Sequence, residues 1–445
     1  MKKLGIVLAG GGTRGAYQMG FWKAIRELGV EFDIVTGTSI GSLNGALMAQ
    51  DAYDACLDLW ENISLDFAIK TYDAKRFTHI KDPRKKNFAQ LALNIVKNKG
   101  ADVLPMEENL ERMVDEEKIR NSEIDFGLVA VEFPSMKPYE LPINEIPNGK
   151  LTKYLMASAS CYPAFPVTEI DAVKFVDGGF YDNLPISLAV KMGATDVIAV
   201  DLKSIGQKRK FFDRNVNVSY IKSYWDLGSF LDFDKTVSKR NIVLGYNDTM
   251  KFFGKYDGNI YTFPKGNMEQ NGKQYGKALG EISEYFEKTF SDINLREELL
   301  LKRIAKELEI IENKDIIDDI DLINAFAEIS GEVFDFEPEK IYEIGEFNTE
   351  LKTILFETLS NNKTPFKQRF SSFFGLSTKS KKSEISLEGL KNLGQRQIVA
   401  LFYEMIQNFM AENENKTSVE REITTGALLF IKEFVAALYL SILTY

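Results

Sequence analysis

Four short stretches of the 445-residue chain carry residue types able to do chemistry. Gly37-Thr38-Ser39-Ile40-Gly41 is a G-x-S-x-G pentapeptide. It follows the apolar run Ile34-Val35-Thr36 and precedes small, apolar residues that read as a helix. Strand, sharp turn and helix in that order expose a serine hydroxyl as a nucleophile. The flanking Gly37 and Gly41 let the backbone turn and leave space for a carbonyl to approach. A serine N-cap in an ordinary strand–helix connection is the other reading of the same residues.

Gly10-Gly11-Gly12-Thr13-Arg14-Gly15 also lies between a strand and a helix. Gly10, Gly12 and Gly15 satisfy G-x-G-x-x-G, so a nucleotide-binding loop must be weighed, with Asp33 at about the right spacing for a ribose acid. That acid belongs at the carboxyl end of its strand, whereas Asp33 precedes Ile34–Thr36 and so points to the wrong edge of the sheet. The alternative is an oxyanion hole, in which the N–H groups of Gly10, Gly11 and Gly12 stabilise charge growing on a carbonyl oxygen. Arg14 would then stabilise the anion or brace the loop.

A serine hydroxyl needs a base. The chain has one histidine, His79, in the polar segment Arg76–Lys81 with no strand end or glycine beside it. A Ser-His-Asp triad is therefore not expected, and a carboxylate becomes the candidate. Asp177 follows the apolar strand Lys174–Val176, so it and Ser39 are expected at the same carboxyl edge of the sheet, with Gly178 and Gly179 clearing room. An ordinary aspartate, with a pKa of about 3.9, is a modest base. In a dry site a direct hydrogen bond from Ser39 makes it an effective one. A turn aspartate before glycine is the simpler alternative. No His/Cys cluster suggests a metal, and no cofactor is expected.

The elements that must hold these groups read in chain order as strand Leu4–Ala9, glycine loop, helix Ala16–Leu28, strand Ile34–Thr36, serine turn, and helix to about Gln50. This opening predicts a parallel α/β layer. Glu61 to about Asn121 is polar and mostly helical, with a basic patch at Lys81, Arg84, Lys85 and Lys86. It reads as a solvated insertion, or else as a lid or membrane-facing edge. Phe126–Val131, Lys174–Val176 and Asp196–Asp201 are strands, and Leu184–Met192 is a helix. Tyr220–Phe263 is rich in aromatics and turn residues, and from Gly280 the chain is mainly helical, with a linker or mobile loop at Thr364–Glu384.

Composition narrows the partners. A net charge of −10 argues against nucleic acid as a partner. Two cysteines, Cys56 and Cys161, build no disulfide framework and fit a reducing compartment. The expected location is cytoplasmic, with peripheral contact to a membrane. Ala427–Leu443 is the most apolar stretch, but Lys432 and Glu433 interrupt it, so burial in a C-terminal core is favoured over membrane contact.

Taken together, Gly10–Gly15 with Arg14, Gly37–Gly41 with Ser39, and Asp177–Gly179 resemble the ordered motifs of patatin-like phospholipases. Ala157–Pro166 and Val176–Pro185 look like signatures of the same family. Asp226–Asp234 and Leu244–Thr249 are similar to its bacterial members. The resemblance covers about residues 4–203. It implies a three-layer α/β sheet flanked by helices, a catalytic domain at 4–205, and a mainly helical domain at 206–445. It further implies a lipid acyl hydrolase of phospholipase A or acylglycerol esterase type, with a lipid or phospholipid substrate. In that scheme Ser39 is the nucleophile, Asp177 the base, and Gly10–Gly12 the oxyanion loop. An acyltransferase sharing the acyl-enzyme, and a nucleotide-binding protein using Gly10–Gly15, are the alternatives. Oligomeric state is not legible.

Overall fold

The computed structural model describes residues 2–68, 103–289, 318–362, 394–411 and 426–444. His79, the basic patch at 81–86 and the stretch 364–384 lie outside them. The chain divides into two compact units, Met1–Phe252 and Phe253–Tyr445. The expected boundary at 205/206 falls inside the first of these.

Strands of three to nine residues, most apolar in the central ones, form the sheet of the first unit. Its strands are β1 (Leu4–Leu8), β2 (Ile34–Thr38), β3 (Asp125–Phe133), β4 (Pro138–Pro142), β5 (Thr168–Ile170), β6 (Val173–Asp177), β7 (Asp196–Asp201) and β8 (Asn217–Lys222). The order is β5-β6-β3-β2-β1-β7-β8, with β4 also on β3. From β8 to β3 the strands run parallel, whereas β4, β5 and β6 are antiparallel to their neighbours. The sheet is therefore mixed rather than wholly parallel.

Helices cover both faces. Helix α2 (Ile40–Ala49) lays Gly45 against Leu8, Val35 and Phe126, while helix Ile186–Lys191 with the following turn packs on Gly5 and Gly127. These three layers bury Ile6, Val7, Leu8, Val35 and Phe126 completely. Helix α1 (Ala16–Glu27) packs against a long helix at Lys235–Phe252. The approach depends on two glycines, because a Cβ on Gly20 would lie 1.9 Å from Ile242 O and one on Gly245 2.0 Å from Tyr17 O.

One detail of β3 places the site. Val129 pairs with Thr38 of β2 and with Glu140 of β4, whereas Ala130 pairs with Asp177 of β6 and with Tyr139 of β4. A strand has two edges, and β4 occupies one of them. Strands β2 and β6 must therefore share the other edge, running toward each other and meeting end to end at residues 129 and 130.

The second unit is mainly helical, with helices Asn267–Thr289, Asp319–Val333, Ile344–Asn361, Gln395–Ala411 and Ile431–Thr444. In the last, residues 433–443 are all buried, which agrees with the expectation of a core helix. Among the described residues no helix is long and apolar enough to cross a membrane.

Candidate active site

Ser39 sits between β2 and α2 with φ 55° and ψ −127°. A non-glycine residue held there stores on the order of 1–3 kcal/mol of strain, which surrounding contacts must fix. The Ser39 N–H donates to Ser158 Oγ at 3.0 Å, and that hydroxyl donates to Val129 O at 2.7 Å. Ser42 Oγ donates to Ser39 O at 2.6 Å. The turn also requires bare backbone on either side of the serine. A Cβ on Gly37 would lie 2.2 Å from Gly41 O, and one on Gly41 would lie 2.2 Å from Leu8 O.

Asp177 closes β6 and is 6% exposed. Its Oδ1 accepts the Gly179 N–H at 2.7 Å. Burial pushes its carboxyl from 3.8 up to about 6, against the lowering effect of hydrogen bonds from the Ser39 side chain and the Gly179 N–H. Burial and the neighbouring Asp177 charge also push the Cys161 thiol up to about 12, which makes that thiol a poor nucleophile. Ser39 and Asp177 come together as the sequence predicts, but for a different reason. Strand β6 is antiparallel, so its carboxyl end meets that of β2 head-on along β3, rather than lying beside it on a parallel edge.

The glycine loop lies over this junction, and two of its expected roles need correction. The Gly10 N–H donates to Asn183 O at 3.0 Å, so Gly10 has no amide left for an oxyanion. Gly11 and Gly12 line the cavity beside Ser39. Among the described residues neither of their N–H groups has an acceptor. Gly12 adopts φ 58°, and a Cβ there would lie 2.0 Å from Phe230 O. Arg14 is engaged by backbone carbonyls and lies 3.9 Å from the Asp226 carboxylate. Its Nε donates to Gly228 O at 2.8 Å, and its Nη1 to Leu202 O at 3.3 Å and Lys203 O at 3.0 Å. It braces the loop against two neighbouring segments.

Several holding residues carry no obvious signal in the sequence. Asn183 Nδ2 donates to Gly10 O at 3.2 Å and to Ser204 Oγ at 2.9 Å, so Asn183 grips both polar groups of Gly10. Behind the loop, Gln18 Nε2 donates to Ala9 O at 2.7 Å, Asn44 Nδ2 to Gln18 Oε1 at 2.8 Å, and Trp60 Nε1 to Asn44 Oδ1 at 3.0 Å. Asn183 and Ser158 both lie in the runs that resemble family signatures; Gln18 and Trp60 sit in plain amphipathic helices.

The nucleotide reading loses its support. Asp33 accepts the Leu4 N–H at 2.8 Å, at the opposite end of the strands. The Thr13 N–H, where a phosphate would bind, donates to Phe230 O at 2.9 Å.

Ser39, Asp177, Gly11 and Gly12 border a cavity of about 640 Å³, whose other walls include Leu43, Leu47, Phe67, Leu110, Phe165 and Phe233. The cavity thus brings together a strained serine, a buried carboxylate, two amides without a backbone acceptor and an apolar recess. Residues 6–190 match the model of the patatin-like phospholipase family. Lysophospholipase NTE1 of Mycosarcoma maydis is 29% identical over 210 residues, 45% of this chain and 10% of that protein. Patatin-like phospholipase domain-containing protein 6 of Mus musculus is 28% identical over 205 residues, 45% of this chain and 14% of that protein. The match thus spans only about a tenth of the length of these relatives. VipD from Legionella pneumophila aligns with all of this chain and 92% of its own, at a TM-score of 0.36 and 12% identity.

Proposed function

We propose that the chain hydrolyses fatty-acyl esters of lipids with a Ser39–Asp177 dyad. The observation that carries this reading is that Ser39 and the buried Asp177 carboxyl line the wall of one largely apolar cavity. An acyl chain gains about 0.8 kcal/mol for each CH₂ it buries there. Ser39 Oγ forms a bond to the acyl carbon as its proton passes to Asp177. The Gly11 and Gly12 N–H groups donate to the oxyanion. Collapse of the tetrahedral adduct breaks the ester bond, and the leaving alkoxide takes the proton from Asp177. Water then attacks the acyl-enzyme, losing its proton to Asp177, and Ser39 is reprotonated as the fatty acid leaves.

The test is release of fatty acid from a phospholipid and from a p-nitrophenyl ester. Ser39→Ala and Asp177→Asn should each abolish it, and His79→Ala should retain it. Loss in His79→Ala alone would overturn the dyad. Chromatography of the products shows whether water or an alcohol accepts the acyl group.

A further inference from the structure

Large apolar side chains usually scatter singly over a protein surface. Here three of them, from separate segments, ring the mouth of one cavity. Tyr162, Phe180 and Ile205 all line the cavity that holds Ser39, and they are 46%, 41% and 92% exposed. Ile205 lies in a segment with unusual charge for this molecule. Lys203–Arg214 carries five basic residues and one acidic residue in a chain of net charge −10. Arg209 and Lys210 are exposed beside Lys208, whose ammonium pairs with Asp201 at 2.7 Å, and two residues after Lys210 Phe212 is 84% exposed.

The segment is anchored. Gln207 N–H donates to Gly179 O at 2.9 Å and its carbonyl accepts the Asn183 N–H at 2.6 Å, while the Arg209 guanidinium lies 4.5 Å over the Tyr181 ring. The basic run is therefore tied to the same turn that carries the base Asp177, beside the cavity mouth.

We propose that Tyr162, Phe180, Ile205 and the run Lys208–Lys210 form the surface by which this protein lies on a lipid bilayer containing anionic headgroups, with the cavity mouth against the membrane. The proposal rests on the site being a lipid acyl hydrolase, and it names the form in which substrate arrives. Exposed apolar side chains enter the headgroup layer, and the lysines and arginine attract its negative charge. An acyl chain then passes from bilayer to cavity without crossing water.

Vesicle co-sedimentation tests it, using the full chain carrying Ser39→Ala so that the lipid stays intact. Vesicles are phosphatidylcholine alone, or an equimolar mixture with phosphatidylglycerol. The parent should partition strongly to the mixed vesicles and weakly to phosphatidylcholine. Lys210→Glu and Ile205→Asp should each weaken binding to the mixed vesicles about tenfold. Both positions are exposed, so neither change opens the core. Phe356→Asp, at a 47% exposed position of the second unit, should bind like the parent. No binding by the parent, equal binding by Lys210→Glu and Ile205→Asp, or an equal loss in Phe356→Asp would each overturn the proposal. A wild-type protein that binds these vesicles yet hydrolyses neither lipid nor soluble ester would instead remove the enzymatic reading and leave the docking surface standing.

Discussion

Each unit buries a carboxylate, and the two are treated in opposite ways. Glu328 of the helical unit is fully buried, and its Oε1 accepts the N–H groups of Asn259, Ile260 and Tyr261 at 2.8, 2.7 and 2.8 Å. Its Oε2 takes the Asn259 amide at 3.3 Å. Nearby, Asn271, Asn324, Asn348 and Tyr439 likewise bond one another. Asp177 accepts the Gly179 N–H at 2.7 Å and borders a cavity with Ser39. A buried carboxylate that is saturated with donors holds loops in place. One left short of donors keeps a raised proton affinity and becomes a usable base.

The contrast can be broken at its largest effect first. Asp177→Asn should lower kcat/KM for a p-nitrophenyl ester by about a thousandfold or more, whereas Glu328→Gln should change it less than about twofold. A large loss in the second variant would undo the distinction. Stability should reverse the order. Glu328→Ala strands three backbone donors and should cost about 3 kcal/mol or more in urea denaturation followed by circular dichroism.

Asp177→Asn should instead stabilise at neutral pH. Because the folded pKa, about 6, lies above the ordinary 3.8, the native state holds this proton more tightly than the unfolded chain. The stability this confers is full below about pH 4 and is lost as pH rises through about 6, a swing of about 3 kcal/mol. Asp182 is also pushed up to about 6, mainly by burial. The measurement is therefore the difference in stability between wild type and Asp177→Asn from pH 4 to 8, in which Asp182 cancels. The same titration should appear in catalysis, with wild-type kcat/KM rising through about pH 6. A profile flat from pH 5 to 7 would exclude Asp177 as the base. The smallest effect concerns the brace. A lysine cannot reach the three carbonyls that Arg14 holds, so Arg14→Lys should reduce kcat/KM about tenfold, with KM for a short ester little changed.

The motifs singled out the proposed reacting groups because each chemical role demands a narrow choice of residues: a serine between glycines, an aspartate before glycines, and no histidine near either. The nearly continuous apolar runs announced the strands. Direction was not legible. An antiparallel β6 and a parallel one read identically as Lys174–Val176, because apolar content does not encode the pairing partner. The assignment of Gly10 went astray because an N–H taken up by a carbonyl 173 positions away looks like a free one. Arg14 was ambiguous for a similar reason, since the carbonyls it holds lie about 190 to 215 positions downstream. Helix Lys235–Phe252 was obscured by Gly245, Asn241 and Asn247, poor helix formers on their own. Only against Gly20 of α1 does the glycine become an asset.

The end-to-end meeting of β2 and β6 makes β3 a gauge. The proposed nucleophile and base are placed by consecutive rungs on one nine-residue strand, not by their separation of 138 positions in the sequence. Length changes between β2 and β3 do not by themselves alter that spacing. One residue inserted between Val129 and Ala130 would move the carboxylate by about 3.4 Å and turn it to the opposite face of the sheet. A library of single-residue insertions scored for esterase activity should therefore be permissive in the long connection and silent at this one rung.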